Sequence, residues 1–107
     1  MEDKLIKALE ATGLPVYNLE RPEGEKNCIV YNYAEQIKSY EDNEESVVNY
    51  TIYVNLIIQK GLNKTKNLIK ENMRSEGFRV QYIPPAYKDS EFDFIQQAFT
   101  FTFVETI

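Results

Sequence analysis

The chain has 107 residues, 43% of them hydrophobic and 27% charged, with a net charge of −5 at pH 7, one cysteine and no histidine. A chain of this length builds one hydrophobic core, and the composition is that of a folded protein and not of a disordered one. The acidic balance argues against phosphate binding, a lone cysteine excludes an intramolecular disulfide, and the missing imidazole removes both the usual zinc sets and the base that a cysteine nucleophile needs.

The opening stretch, MEDKLIKALEATG, carries acids among its first residues and no uninterrupted apolar run. It therefore reads as neither a secretory signal nor a membrane span, and a cytoplasmic protein without membrane contact is expected. Leu5, Ile6, Leu9 and Thr12 follow Asp3 at spacings of three and four, which predicts an amphipathic helix ended by Gly13 and Pro15. Val16 to Leu19 predict a brief strand, and Pro22 and Gly24 in RPEGEKN predict a turn.

"CIVYNY", residues 28–33, predicts a strand with Ile29, Tyr31 and Tyr33 on one face and Cys28, Val30 and Asn32 on the other. Residues 34–46 then read as a mobile acidic loop holding Glu35, Glu41, Asp42, Glu44 and Glu45. From Val47 the alternation is cleaner, with Val48, Tyr50, Ile52, Val54, Leu56 and Ile58 facing one way. At roughly 3.3 Å per residue this strand runs for about 40 Å, longer than a compact small core requires. Val47, Tyr53 and Ile57 are large and apolar on its other face, which predicts that another subunit covers it.

Gly61 ends that strand, and Asn63 or Thr65 is expected to cap a helix whose buried side is Leu62, Leu68, Ile69, Asn72 and Met73. Gly77 closes it, and Lys64, Lys66, Lys70 and Arg74 make its other side the most basic element of an acidic chain. "FRVQYI" predicts a strand with Phe78, Val80 and Tyr82 inward, stopped by Pro84 and Pro85; a loop through Asp89 and Glu91 follows. "IQQAFTFTFVET" closes the chain with Ile95, Gln97, Phe99, Phe101 and Phe103 on one face. The expected fold is α+β, in the order α-β-β-β-α-β-β. It is a single domain over residues 1–107, with a mostly antiparallel sheet of four to five strands and two helices packed on one face.

No constellation in this pattern carries catalysis. The acids of "YEDNEES" lack the alternate Asp, central Gly and terminal Glu of a calcium loop, so they read as a solvated segment or as a contact for the Lys-rich helix of a neighbouring copy. Cys28 inside an apolar strand reads as an inert thiol, the strand tyrosines as half-buried rings, and no cofactor or metal is expected. Lys64, Lys66, Lys70 and Arg74 have no aromatic stacking platform beside them, so specific nucleic-acid binding is not expected either.

The helix ending in "TGLPV", the strand "CIVYNY", the acidic "YEDNEE", the long strand "YTIYVNLIIQK", the helix "LIKENMRSEGF" and the closing "FTFTF" occur in an order that resembles small tailed-phage and prophage proteins. These are the tail-completion, tail-terminator and head–tail joining proteins. Tyr33, Asp42, Asn43, Gly77 and Phe78 are the marker residues, and the resemblance covers nearly the whole chain. It implies a non-enzymatic structural protein, assembled as a hexameric ring against head-connector or tail-tube proteins, with DNA passing through the ring. It places the protein in the host cytoplasm during assembly and then in the virion. Glu41, Asp42, Glu44 and Glu45 on one subunit, Lys64, Lys66, Lys70 and Arg74 on the next, and the apolar Tyr53 and Ile57 are the expected intersubunit contacts. An acidic intracellular module that inhibits or adapts a protein partner is the alternative reading.

Overall fold

A computed structural model describes residues 1–39 and 46–106. In chain order the elements are α1 (Glu2–Glu10), β1 (Val16–Asn18), β2 (Cys28–Ser39), β3 (Ser46–Ile58), α2 (Leu62–Ser75), β4 (Arg79–Tyr82), β5 (Tyr87–Asp89) and β6 (Phe94–Thr106). The strands form one sheet in the order β1-β2-β3-β6-β4, with β5 also paired to β6. The fold is α+β as expected, but with six strands and not four to five. The additional strand is β5, whose three residues pair with Phe94–Gln96 where a loop was expected.

The sheet is mostly antiparallel as expected, with one parallel pair and one strand longer than expected. β1 runs parallel to β2, Val16 opposite Ile29 and Asn18 opposite Tyr31, because residues 19–27 cross over before the chain re-enters the sheet. β2 does not stop at Tyr33. Residues 34–39 continue the ladder against Ser46–Thr51, so half of the expected acidic loop is strand. Glu41, Asp42, Glu44 and Glu45 lie outside the described residues.

The helices cover one sheet face, here the front. Leu5, Ala8 and Leu9 of α1 and Ile69 and Met73 of α2 meet Ile29, Tyr31, Ile52, Val54, Leu56, Phe99 and Phe101 in one core. Alternation predicts this face correctly for β3 and β6, since every second side chain of a strand points the same way. A row of rings, Tyr33, Tyr50, Phe103 and Phe78, crosses the sheet with centroids 6.0, 6.4 and 4.8 Å apart.

The end of α2 shows why Phe78 belongs to the core while the strand after it does not. The Phe78 N–H donates to the Met73 carbonyl and the Gly77 N–H to the Arg74 carbonyl, with Gly77 at φ 94°. This is the double bond of a Schellman stop, and it packs Phe78 against Met73. At the other end, Gly61 in a left-handed conformation precedes the helix and the Thr65 N–H already bonds to the Gly61 carbonyl. Asn63 and Thr65 therefore lie inside the first turn and do not cap it. Val80 and Tyr82, expected inward, are 46% and 61% exposed. A bulge between them sets Val80 opposite Phe101 and Tyr82 opposite Thr100, so they face opposite sides of an edge strand.

Two polar groups tie the elements. Gln97, fully buried, donates through Nε2 to the carbonyls of Pro84 (2.7 Å) and Ala98 (2.9 Å). It thereby bridges the gap that the prolines open between β4 and β5. Asn72 donates to the Ala8 carbonyl and joins the two helices.

Gln97→Leu keeps the volume and leaves both carbonyls without that donor, so urea denaturation should show a loss of about 1–3 kcal/mol. The Tyr31 hydroxyl donates to Glu2 at 2.8 Å, and burial, with Glu2 beside it, pushes its pKa up from 10.0 to about 12. The folded state then holds this proton more tightly than the unfolded chain. Its contribution is complete below pH 10 and is lost as the pH rises towards 12. Urea midpoints should fall across that window, and less steeply in Tyr31→Phe.

Candidate functional site

The residues expected to make intersubunit contacts fall into separate places. On α2, Lys66, Lys70 and Arg74 recur every fourth residue and form one stripe, with Lys64 exposed beside it. Lys70 and Arg74 reach a groove of about 510 Å³ between α2 and β4, lined also by Glu71, Phe78, Arg79 and Val80. Lys64 and Lys66 do not line it. Arg79 and Val80 were not singled out from the sequence. The signal was Gly77, because a helix stopped there by a tight turn brings the next strand back alongside its last two turns. The ion pairs among the described residues are Lys7 with Glu76 and the Met1 ammonium with Glu105, so no carboxylate there is paired with Lys70, Arg74 or Arg79.

Tyr53 lies on the opposite, back face of the sheet, 50% exposed, in a shallow depression with Leu19, Val30, Asn55, Ala98 and Thr100. The register extends this face from Tyr53 towards the far end of the sheet through Asn32, Ala34, Gln36 and Lys38 on β2, Val47, Asn49 and Thr51 on β3, and Thr100, Thr102, Val104 and Thr106 on β6. Arg79 and Tyr82 of β4 pair with Thr102 and Thr100, so that surface has two cations, Lys38 and Arg79, and no acid, in a chain with 17 acidic residues.

Ile57 is not part of it. It is 4% exposed and packs with Cys28 and Phe94 in a second small core bordered by Tyr17 and Val30. The Arg21 guanidinium lies 4.9 Å from the centre of the Phe94 ring and bonds to the Glu25 carbonyl, so the 19–27 crossover covers this end of the back face. The expectation that another subunit covers Ile57 is thus corrected: the chain covers it itself. Alternation shows that a strand is apolar on both faces, but it does not show which segment supplies the second cover.

Burial, with Glu25 nearby, pushes the Cys28 thiol up from its ordinary value, which disfavours the reactive thiolate. Among the described residues no three of the His, Cys, Asp and Glu side chains cluster as metal ligands, and no helix is long and apolar enough to cross a membrane. The arrangement offers two surfaces for contact: a cationic groove on the front flank and an acid-free polar sheet on the back.

No family model and no curated protein matches this chain. Among solved structures, a chain of the "Virion of native gene transfer agent (GTA) particle" is similar, with 14% identity and a TM-score of 0.47 over 88% of this chain and 81% of that one.

Cys28 should react with a thiol reagent in the native protein only through local opening. Arg21→Ala removes a cation–π contact of about 0.5–1 kcal/mol from its cover, so labelling followed by absorbance should quicken about two- to fivefold.

Proposed function

We propose that this chain is a structural, non-catalytic subunit of a tailed-phage or prophage virion, completing the tail or joining it to the head as a ring. The observation that carries this reading is the separation of charge along the sequence, acids within residues 41–45 and cations on α2. The cations of α2 flank the part of the sheet where Arg79 pairs with Thr102, and Thr102 pairs with Thr51. In sequence Glu41, Asp42, Glu44 and Glu45 fall between Ser39, the last described residue of β2, and Ser46, the first of β3, which lies five strand residues from Thr51, or about 17 Å at ~3.4 Å per residue.

A closed ring needs a heterologous interface, each subunit offering one surface to its left neighbour and a different one to its right. Opposite charges at two separate places favour that head-to-tail contact and oppose like-to-like contact. The family resemblance of the sequence supports the class, the hexameric number and the head-connector or tail-tube partners. The exposed Tyr53 on its acid-free face is a further contact in this reading. An acidic subunit also suits a lumen through which DNA passes, since it does not hold the phosphate backbone.

Reversing Glu41, Asp42, Glu44 and Glu45 to lysine should weaken self-association about tenfold or more, read by analytical ultracentrifugation with purified tail tubes present. Adding Lys64→Glu, Lys66→Glu, Lys70→Glu and Arg74→Glu should restore part of it. Unchanged assembly in the first variant sinks the charge pairing. A chain that stays monomeric with and without tubes favours the acidic adaptor reading.

A further inference from the structure

The groove between α2 and β4 combines three properties: cations that no described carboxylate pairs, an apolar floor and a free strand edge. The edge follows from the ladder. Ile29 and Tyr31 turn their backbone groups to the β1 side, since the Ile29 N–H donates to the Pro15 carbonyl and the Tyr31 carbonyl accepts from the Leu19 N–H. Antiparallel pairs alternate between bonded and non-bonded positions. Carried across the register, this alternation turns Thr102 and Thr100 towards β4, makes Arg79 and Tyr82 their bonded partners, and leaves Val80 with its N–H and carbonyl pointing away from the sheet. All four residues of β4 are exposed.

An edge of this kind is ordinarily blunted. Here the bulge and the prolines after it keep the edge short, yet Val80 remains beside Phe78 on the floor of the groove, with Lys70, Arg74 and Arg79 around it. We propose that this groove binds an extended acidic segment of another protein, added as a strand along the free edge of β4. Main-chain bonds to Val80 give such a segment its register, and its side chains alternate: those on the helix side meet Phe78 and Val80 with Lys70 and Arg74 at the rim, and those on the other side place carboxylates beside Arg79. Glu71 is the one acid of the lining, so the site favours an acidic ligand over a basic one. The apolar floor and the strand edge favour a peptide over a nucleic-acid backbone, which needs neither. This inference competes with the assembly reading for Lys70 and Arg74, which there meet the acids of a neighbouring copy, so the peptide of residues 39–48 is the control that separates the two.

The test uses the full chain and a fluorescein-labelled peptide of about eight alternating Glu and Val residues, followed by anisotropy and by amide NMR shifts. Saturable binding is expected with a Kd on the order of 10–100 µM, and with shifts at Lys70, Arg74, Arg79 and Val80. Arg74→Glu combined with Arg79→Glu should weaken it about tenfold or more, and so should N-methylation of alternate peptide residues, which removes main-chain donors without touching the protein. The proposal is overturned by no saturation at ~1 mM, by equal binding of a Lys-Val peptide or of the N-methylated peptide, or by shifts elsewhere. It is also overturned if a single-stranded oligonucleotide displaces the peptide at lower concentration, or if a peptide of residues 39–48 binds more tightly, which would give the groove to a second copy.

Discussion

The structure depends on a mismatch of length between its sheet and its helices. β3 and β6 have 13 residues each, about 44 Å of strand at ~3.4 Å per residue, whereas the 14 residues of α2 rise only about 21 Å at ~1.5 Å each. Two such helices, side by side, shield part of one face. Within their cover Ile52, Val54, Leu56, Phe99 and Phe101 are sealed; along β2 on the same face Ile37 is 64% exposed. The row Tyr33–Tyr50–Phe103–Phe78 marks the transition, rings being wide enough to close a core at its border while one edge stays wet. The molecule is drawn out accordingly, 55 Å long against 24 and 23 Å.

The back face is managed in two ways. Near β1 it is apolar, and the 19–27 crossover folds over Cys28, Ile57 and Phe94. Beyond Tyr53 it is neither apolar enough to need a cover nor charged enough to repel one. Asn, Gln and Thr side chains hold water with little desolvation cost when it is displaced by another polar surface, and the depletion of charge is what separates the centre of an interface from ordinary protein surface. One sheet thus has a sealed face, a self-covered corner and an open field.

Where the sequence was legible, it was so through period-two alternation in strands with a single burial regime. Ile95 to Phe103 and Val48 to Ile58 could be assigned to the core face without error. β4 could not, because its bulge breaks the period and its neighbours are an edge and a groove, so the apolar Val80 and Tyr82 looked buried. β1 was legible as a strand but not in its direction, which depends on where residues 19–27 travel. Ile57 looked unpartnered because its partner Phe94 and the covering Arg21 are remote in sequence. Lys70 and Arg74 were visible as a basic stripe, while Arg79, which completes the groove, becomes their neighbour only through the turn at Gly77.

The strand order carries a consequence for how the molecule is made. β6 lies between β3 and β4 and also holds β5, so β4 and β5 emerge from the ribosome before any partner for them exists. The β2–β3 hairpin can zip locally, with α1 laid upon it, since its contacts are close in sequence. The β3–β6 ladder spans from Ile58–Ile95 to Val47–Thr106, and closing so large a loop is slow. A nascent chain interrupted just before Phe94 holds a hairpin with β1 beside it, two helices and two orphan strands, with Phe78 and Met73 unsheltered by Phe101 and Phe103. Completion of the fold is therefore a late, nearly all-or-none event, and proteolysis or chaperone capture acts on the interval before it.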